Sequence, residues 1–162
     1  EKIQINTERF FLRQLTVDDI TDTYLSWLTK EKHPFLDYVD KYSSIEDLQA
    51  YVSERQSRED VLFLGIYTKK KKHIGNIKYE PINFKNKSAI LGILIGDRYW
   101  KGKGVANEVI KESANFLSEK YGVKTIRLMV NHKNQPAKSA YKKIGFTITN
   151  QSEKDATMIL QL

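Results

Sequence analysis

The segment that most restricts this chain is AILGILIGDRYWKGKGVANEVI, Ala89 to Ile110. An apolar run of strand type passes through two glycines, set one residue apart among cations, into a helical pattern. At a helix N-terminus several backbone N–H groups lack internal partners, and the dipole favours negative charge. Gly102 and Gly104 remove side chains where an anion must approach the backbone, and Arg98, Lys101 and Lys103 add positive charge. No Gly-Lys-Ser/Thr closes the loop, so it is not a Walker loop, and the third glycine of a dinucleotide fingerprint would fall at Asn107. An ordinary strand-to-helix turn with surface lysines accounts for the same residues.

The surrounding pattern is a mixed one. RFFLRQLT alternates as a first strand; Thr16, with Asp18 and Asp19, opens a helix that puts Ile20, Tyr24 and Trp27/Leu28 on one face. HPFLDYVD is an irregular break, after which Ser43 or Ser44 caps a second helix running to about Glu54. VLFLGIYT and HIGNIKYE are strands across a lysine turn (Lys69 to Lys72), and AILGILIGD is a third, apolar on both faces. Val105 to Lys120 is a helix ended by Gly122, TIRLMVN a strand, Gln135 to Ile144 a short helix, and FTITNQ and ATMILQL two closing strands. The expected order is β-α-α-β-β-β-α-β-α-β-β, an α/β class with a mixed sheet and helices on its faces. With no repeat, low-complexity tract or linker, residues 1–162 read as a single domain.

Composition narrows the function. The chain has 162 residues, 40% hydrophobic and 29% charged, with no apolar run near the roughly 20 residues of a membrane span. The start, EKIQINTERF, has no basic-then-apolar signal pattern, and the lack of Cys fits a reducing cytoplasm. Three scattered histidines, His33, His73 and His132, offer no metal-ligand spacing, so no metal is expected. Charge is uneven: residues 1–60 carry 8 Lys and Arg against 13 Asp and Glu, net −5, while residues 61–162 carry 19 against 7, net +12. An anionic ligand is expected on the later part and a cationic one near the earlier part. A nucleic-acid surface is not expected, because the basic residues lack interleaved aromatics for stacking.

A second constellation lies in NHKNQPAKSAYKKIGF. Asn134 can cap a helix whose first turn tolerates Pro136, with Ala137, Ala140, Tyr141 and Ile144 on one face and Gly145 at its end. Tyr141 then points inward with a hydroxyl that wants a partner, either as a core tyrosine or as an acid.

With these two segments in register the sequence resembles the GNAT superfamily of acetyl-CoA-dependent N-acetyltransferases. KGKGVA (Lys101 to Ala106) is similar to its pyrophosphate loop, Gln/Arg-x-x-Gly-x-Gly/Ala, and NQPAKSAYKKIGF (Asn134 to Phe146) to its Asn-x-x-Ala/Ser-x-x-x-Tyr-x-x-x-Gly-Phe segment. The resemblance implies a splayed central sheet, with pantetheine bonded to backbone near Ile93, Leu94 and Ile95. It implies phosphates on N–H groups from Gly102, Lys103, Gly104 and Val105 to Ala106, with Asn134 and Ala137 near the cofactor. It implies Tyr141 as the acid that protonates the departing thiolate. The Gln/Arg position of the loop holds Tyr99, and the two positions where relatives keep a base hold Ile90 and Met129. Glu80, before Pro81, is a substitute for that base, with a solvated turn carboxylate as the plainer reading; His33 is near an acceptor site or an incidental loop histidine, and deprotonation by water is the remaining route.

The early part, ITDTYLSWL included, looks like the Rim-type branch, the ribosomal-protein N-terminal acetyltransferases. GNIKYEPINFKNKSAILGILIGD (Gly75 to Asp97) is also similar to acetyltransferases of nucleotide-linked amino sugars. The resemblance makes the segment from Leu25 to Tyr51 the acceptor wall. That wall is acidic and aromatic, with Asp37, Asp40, Glu46 and Asp47, which points to a cationic amine. The expected partners are acetyl-CoA and an amine, for a monomer or homodimer; a non-catalytic acetyl-CoA-binding module is the competing class.

Overall fold

The computed structural model describes residues 2–28 and 44–162. The chain forms β1 (Gln4–Asn6), β2 (Phe10–Gln14), α1 (Asp22–Trp27), α2 (Ile45–Gln56), β3 (Leu62–Thr68), β4 (His73–Asn83) and β5 (Ser88–Ile95). It continues through α3 (Val105–Tyr121), β6 (Thr125–Asn131), α4 (Gln135–Ile144), β7 (Thr147–Gln151) and β8 (Asp155–Gln161). The strands make one mixed sheet in the order β1-β2-β3-β4-β5-β6-β8-β7.

Three local readings are corrected. β1 adds an eighth strand ahead of the expected first one. It is only three residues long with Ile5 alone buried, so its periodicity is too short to see; pairing with β2 creates it. The helix expected at Thr16 is a single 3-10 turn, Val17–Asp19, closed by Asp19, which accepts from Thr16 N at 2.8 Å and from Arg13 at 2.7 and 2.9 Å. The α-helix starts afresh at Asp22, where Thr21 accepts from Tyr24 N. β4 runs three residues past the expected strand, through Pro81, where the ladder with β5 shifts register between Tyr79 and Ile82. A strand proline sits without penalty at such a bulge. Glu80 therefore lies within a strand and not in a turn.

Side-chain alternation along β3 divides the core in two. Leu62, Leu64 and Ile66 pack under α3 with Val105, Val109, Ile110 and Leu117, while Phe63 packs on the opposite face with Leu48 and Val52 of α2 and Tyr24 and Trp27 of α1. Each fully buried side chain of this size contributes about 1.5–3 kcal/mol. β5 alternates likewise: Ile93 and Ile95 border the α3 cluster, and Leu94 belongs to the α1/α2 cluster.

The sheet opens at its centre. β5 and β6 are parallel and pair only from Ser88↔Thr125 to Ile90↔Arg127. Beyond that point β5 pairs only with β4, as far as Gly75↔Ile95, and β6 only with β8, as far as Asn131↔Asp155. The edge of β5 from Leu91 to Ile95 that would face β6 is left without a strand partner.

Helix α1 is seated at the open end by Trp27, 3% exposed, against Gly96. A Cβ at Gly96 would fall inside the indole ring. Gly96→Ala should therefore displace Trp27 and destabilise the fold by about 1–3 kcal/mol. Chemical denaturation checks this, and unchanged stability would mean that Trp27 does not depend on that glycine.

Candidate active site

Two cavities flank the open stretch of β5, one on each face of the sheet. The larger, about 710 Å³, lies between β5, the glycine loop and α4; the smaller, about 250 Å³, lies beneath α1 and α2. Ile93 and Leu94 line both. The two spaces thus border the same stretch of β5 where the sheet splays.

The glycine loop and the N-terminus of α3 close the larger cavity. Gly102 and Gly104 have φ of 73° and 77°, a left-handed conformation that residues with a Cβ rarely adopt. Gly104 is the N-cap and no side chain caps the helix, so the first N–H groups of α3 stay available to a ligand. Glu108 in the first turn would repel an anion there, yet it is fully answered. It accepts from Thr7 Oγ1 at 2.5 Å, Arg9 N at 2.7 Å and Arg9 Nε at 2.7 Å. Burial alone would raise its carboxyl; those three donors outweigh burial and hold it below the usual carboxylate range.

Helix α4 supplies the far wall. Asn134 Oδ1 accepts from Ala137 N at 3.3 Å, as expected of its cap. Tyr141 reaches the cavity from a half-buried position, its ring edge-on to Phe146 at 5.7 Å. Burial pushes its phenol up, and its hydroxyl has no hydrogen bond among the described residues. It is a protonated donor facing open space.

Of the expected residues, Ile93, Leu94, Ile95, Lys101, Gly102, Gly104, Val105, Ala106, Asn134, Ala137 and Tyr141 all line this cavity. Arg98 is exposed on the 3-10 turn Arg98–Trp100, and Lys103 turns back to bond the Tyr99 carbonyl and cover its ring at 4.0 Å; neither lines it. Trp100, Asn107, Ser139 and Lys143 do, unforeseen because each is set by loop or helix geometry.

The smaller cavity was not legible residue by residue. Tyr24 and Leu28, Leu48 and Tyr51, and Phe63 give it an apolar, aromatic wall, and Asn76, Lys78 and Glu80 of β4 are its polar lining. Glu46 and Asp47 are exposed in the first turn of α2 and do not line it; His33, Asp37 and Asp40 lie outside the described residues. Ile90 and Met129, 41% and 65% exposed, leave the usual base positions apolar. Glu80 accepts from Arg55 Nε at 2.8 Å and Arg58 Nη1 at 2.9 Å, with Lys78 Nζ 3.4 Å away. Burial works to raise its carboxyl, but the Arg55 bond and the three cations hold it low. A carboxylate so held is a poor proton acceptor. Among the described residues no cluster could hold a metal ion, and no helix is long and apolar enough to cross a membrane.

Splayed parallel strands over an uncapped helix N-terminus, with a protonated phenol across the cleft, are the arrangement of a coenzyme A-dependent acyltransferase. The chain belongs to the acetyltransferase (GNAT) family, whose domain matches residues 9–147. Its fold is shared by RimL, a ribosomal-protein alpha-N-acetyltransferase in complex with coenzyme A (TM-score 0.86, 16% identity, covering 100% of this chain and 98% of that one). It is shared by spermidine N-acetyltransferase from Vibrio cholerae in complex with CoA and spermine (0.82, 20%, 94% and 95%). The microcin C7 self-immunity acetyltransferase MccE, in complex with acetyl-CoA and AMP, is also similar (0.83, 16%, 96% and 93%). No curated protein matches the sequence.

The depressed carboxylates set an acid limit. Glu80 and Glu108 have lower pKa values folded than unfolded, so below about pH 4.3 the unfolded chain takes up their protons first and stability falls. Glu80→Gln should lower stability at pH 7 and make the loss on acidification shallower. Denaturant melts at pH 7 and 3.5 test this; an unchanged slope would contradict it.

Proposed function

We propose that this chain moves an acetyl group from acetyl-CoA to a primary amine by direct attack, within residues 1–162 acting as one catalytic domain. The observation that carries the reading is that Ile93 and Leu94 line both cavities, at the stretch where β5 has no strand partner on its β6 side. A donor lying in the larger space and an amine in the smaller one would then reach each other through the open sheet.

Acetyl-CoA supplies an activated thioester. Backbone N–H groups from Gly102 to Ala106 hold its diphosphate, with Lys101 and Lys143 adding charge and Arg9 and Thr7 keeping Glu108 from opposing it. The free edge of β5 at Ile93–Ile95 holds the pantetheine arm, and its donors stabilise the negative charge that develops on the carbonyl oxygen. The amine nitrogen bonds to the carbonyl carbon as the C–S bond breaks. Tyr141 gives its proton to the leaving sulfur and regains one from water, while the amine passes its proton to water. With apolar Ile90 and Met129 at the base positions and Glu80 held low, deprotonation rests on the amine's own pKa. The similar structures include proteins named for ribosomal-protein and spermidine acetylation, which supports an amine acceptor.

Acetyl-CoA at about 100 times its dissociation constant should add roughly 2.7 kcal/mol of stability. Gly104→Val should remove most of it, because the left-handed φ of 77° is strained for valine and the new side chain meets the phosphate path. Thermal melts read this directly; an unmodified protein whose melting point ignores saturating acetyl-CoA would overturn the assignment.

Tyr141→Phe should lower turnover about 10²-fold. Affinity for acetyl-CoA should hardly change, since the lost donor acts mainly in the transition state. CoA release and calorimetry separate the two quantities, and full turnover would return Tyr141 to a packing role.

A further inference from the structure

The smaller cavity carries a charge that the acetyl-transfer reading leaves unused. Its charged lining among the described residues is Lys78 and Glu80. Glu80 already serves two guanidinium groups, Arg55 at 2.8 Å and Arg58 at 2.9 Å, while Asp60 answers Arg58 with two bonds of 3.0 Å. Glu54, 68% exposed and 4.0 Å from Arg55, is in solvent, where its charge is screened. Among the described residues, Arg55, Arg58 and Lys78 therefore have Glu80 and Asp60 as their close carboxylates. The ammonium of Lys78, bonded to the Tyr51 hydroxyl and 3.4 Å from Glu80, is the member that borders the cavity with charge in excess.

A second observation points into the same space. Asn76 is 4% exposed and lines the cavity from β4, opposite Leu94, which borders both cavities. Its Oδ1 lies 2.7 Å from His73 Nε2. The His73 ring is fixed by stacking on Tyr67 at 4.8 Å and by edge contacts with Trp27 at 5.0 Å and Tyr24 at 5.7 Å. With the His73 proton on Nε2 donated to Oδ1, the Asn76 amide has its Nδ2 on the side away from that bond. Nδ2 has no protein partner among the described residues. That nitrogen is open to the cavity, where it can donate to a ligand or to water.

Asn76 and Lys78 leave the same face of β4 about 7 Å apart, two residues along a strand. Lys78 stands opposite Gly92, which also lines the cavity and where a Cβ would meet nothing within 4 Å. We propose that this cavity takes an amine whose own chain carries an anionic group, a carboxylate or a phosphate, with Lys78 as its counter-charge and Asn76 as the hydrogen-bond donor that orients it. A second positive charge on the acceptor would meet Lys78 and be disfavoured, contrary to the cationic amine suggested by the acidic segment. The same ammonium favours the neutral form of the reacting nitrogen, which suits a site without a strong base.

The proposal rests on the acetyl-transfer reading for the position of the amine, and matched acceptors test it. Butylamine, 4-aminobutyrate and 1,4-diaminobutane differ only in a neutral, anionic or cationic end; ethanolamine, 2-aminoethyl phosphate and 1,2-diaminoethane repeat the comparison with a phosphate. CoA release should favour the anionic member of at least one series over its neutral and cationic analogues by tenfold or more in kcat/KM. The series that responds tells carboxylate from phosphate. Lys78→Met should erase that preference, read as the ratio of kcat/KM for the anionic and neutral members, and Lys78→Arg should restore it. Asn76→Ala should weaken all acceptors that keep the anion. Calorimetry with the anionic amines in saturating CoA reads binding without turnover. Binding of an anionic member that Lys78→Met abolishes, without CoA release, would sink the transferase reading and uphold this one. Preference for either diamine, an unchanged ratio in Lys78→Met, or no anionic binding alongside turnover of neutral amines would overturn it.

Discussion

The early end of one parallel pairing governs this molecule. β5 and β6 share a ladder over three residue pairs and then separate, each held on its outer side by an antiparallel neighbour. Unpaired backbone in a buried sheet is unfavourable unless something else satisfies it. Here the unpaired edge runs along a cavity, and the strand that carries it exposes alternate residues to two spaces. Ile93 and Ile95 face α3 and α4, while Leu94 faces α1 and α2.

The two spaces differ in how they handle charge. Beside the glycine loop, fixed dipoles and uncapped N–H groups provide for an anion, and the Glu108 carboxylate is paired with Arg9 and hydrogen-bonded by Thr7. In the smaller space the balance is set by long side chains around Glu80, and burial leaves little water to screen them. The first arrangement depends on the backbone and so on two glycines. The second depends on side-chain identity, which is where acceptor choice among relatives of one fold would reside.

Much of this was legible in the sequence because the signals are local. The glycine loop, the Asn134 cap, the inward tyrosine and the helix ends at Gly122 and Gly145 all follow from spacing of a few residues, and the structure keeps each of them. Glu80 and Asn76 were not legible in the same way. Their positions depend on β4 continuing past Pro81 and on the register Asn76↔Leu94 and Lys78↔Gly92, which no short window contains. Short β1 was invisible for the same reason, as its existence follows from pairing with β2. Of the acids in the early segment, Glu46 and Asp47 favour the N-terminus of α2 and face solvent, while Asp37 and Asp40 lie outside the described residues.

The central claim is that the donor enters between the splayed strands and presents its reactive end where the cavities join. A crystal structure of the protein with coenzyme A tests it most directly. The account predicts the diphosphate on the N–H groups of Gly102 to Ala106, the pantetheine arm along Ile93–Ile95, and the sulfur within hydrogen-bond reach of the Tyr141 hydroxyl. A sulfur lying outside the splay, or a coenzyme bound with its diphosphate away from the α3 N-terminus, would contradict it.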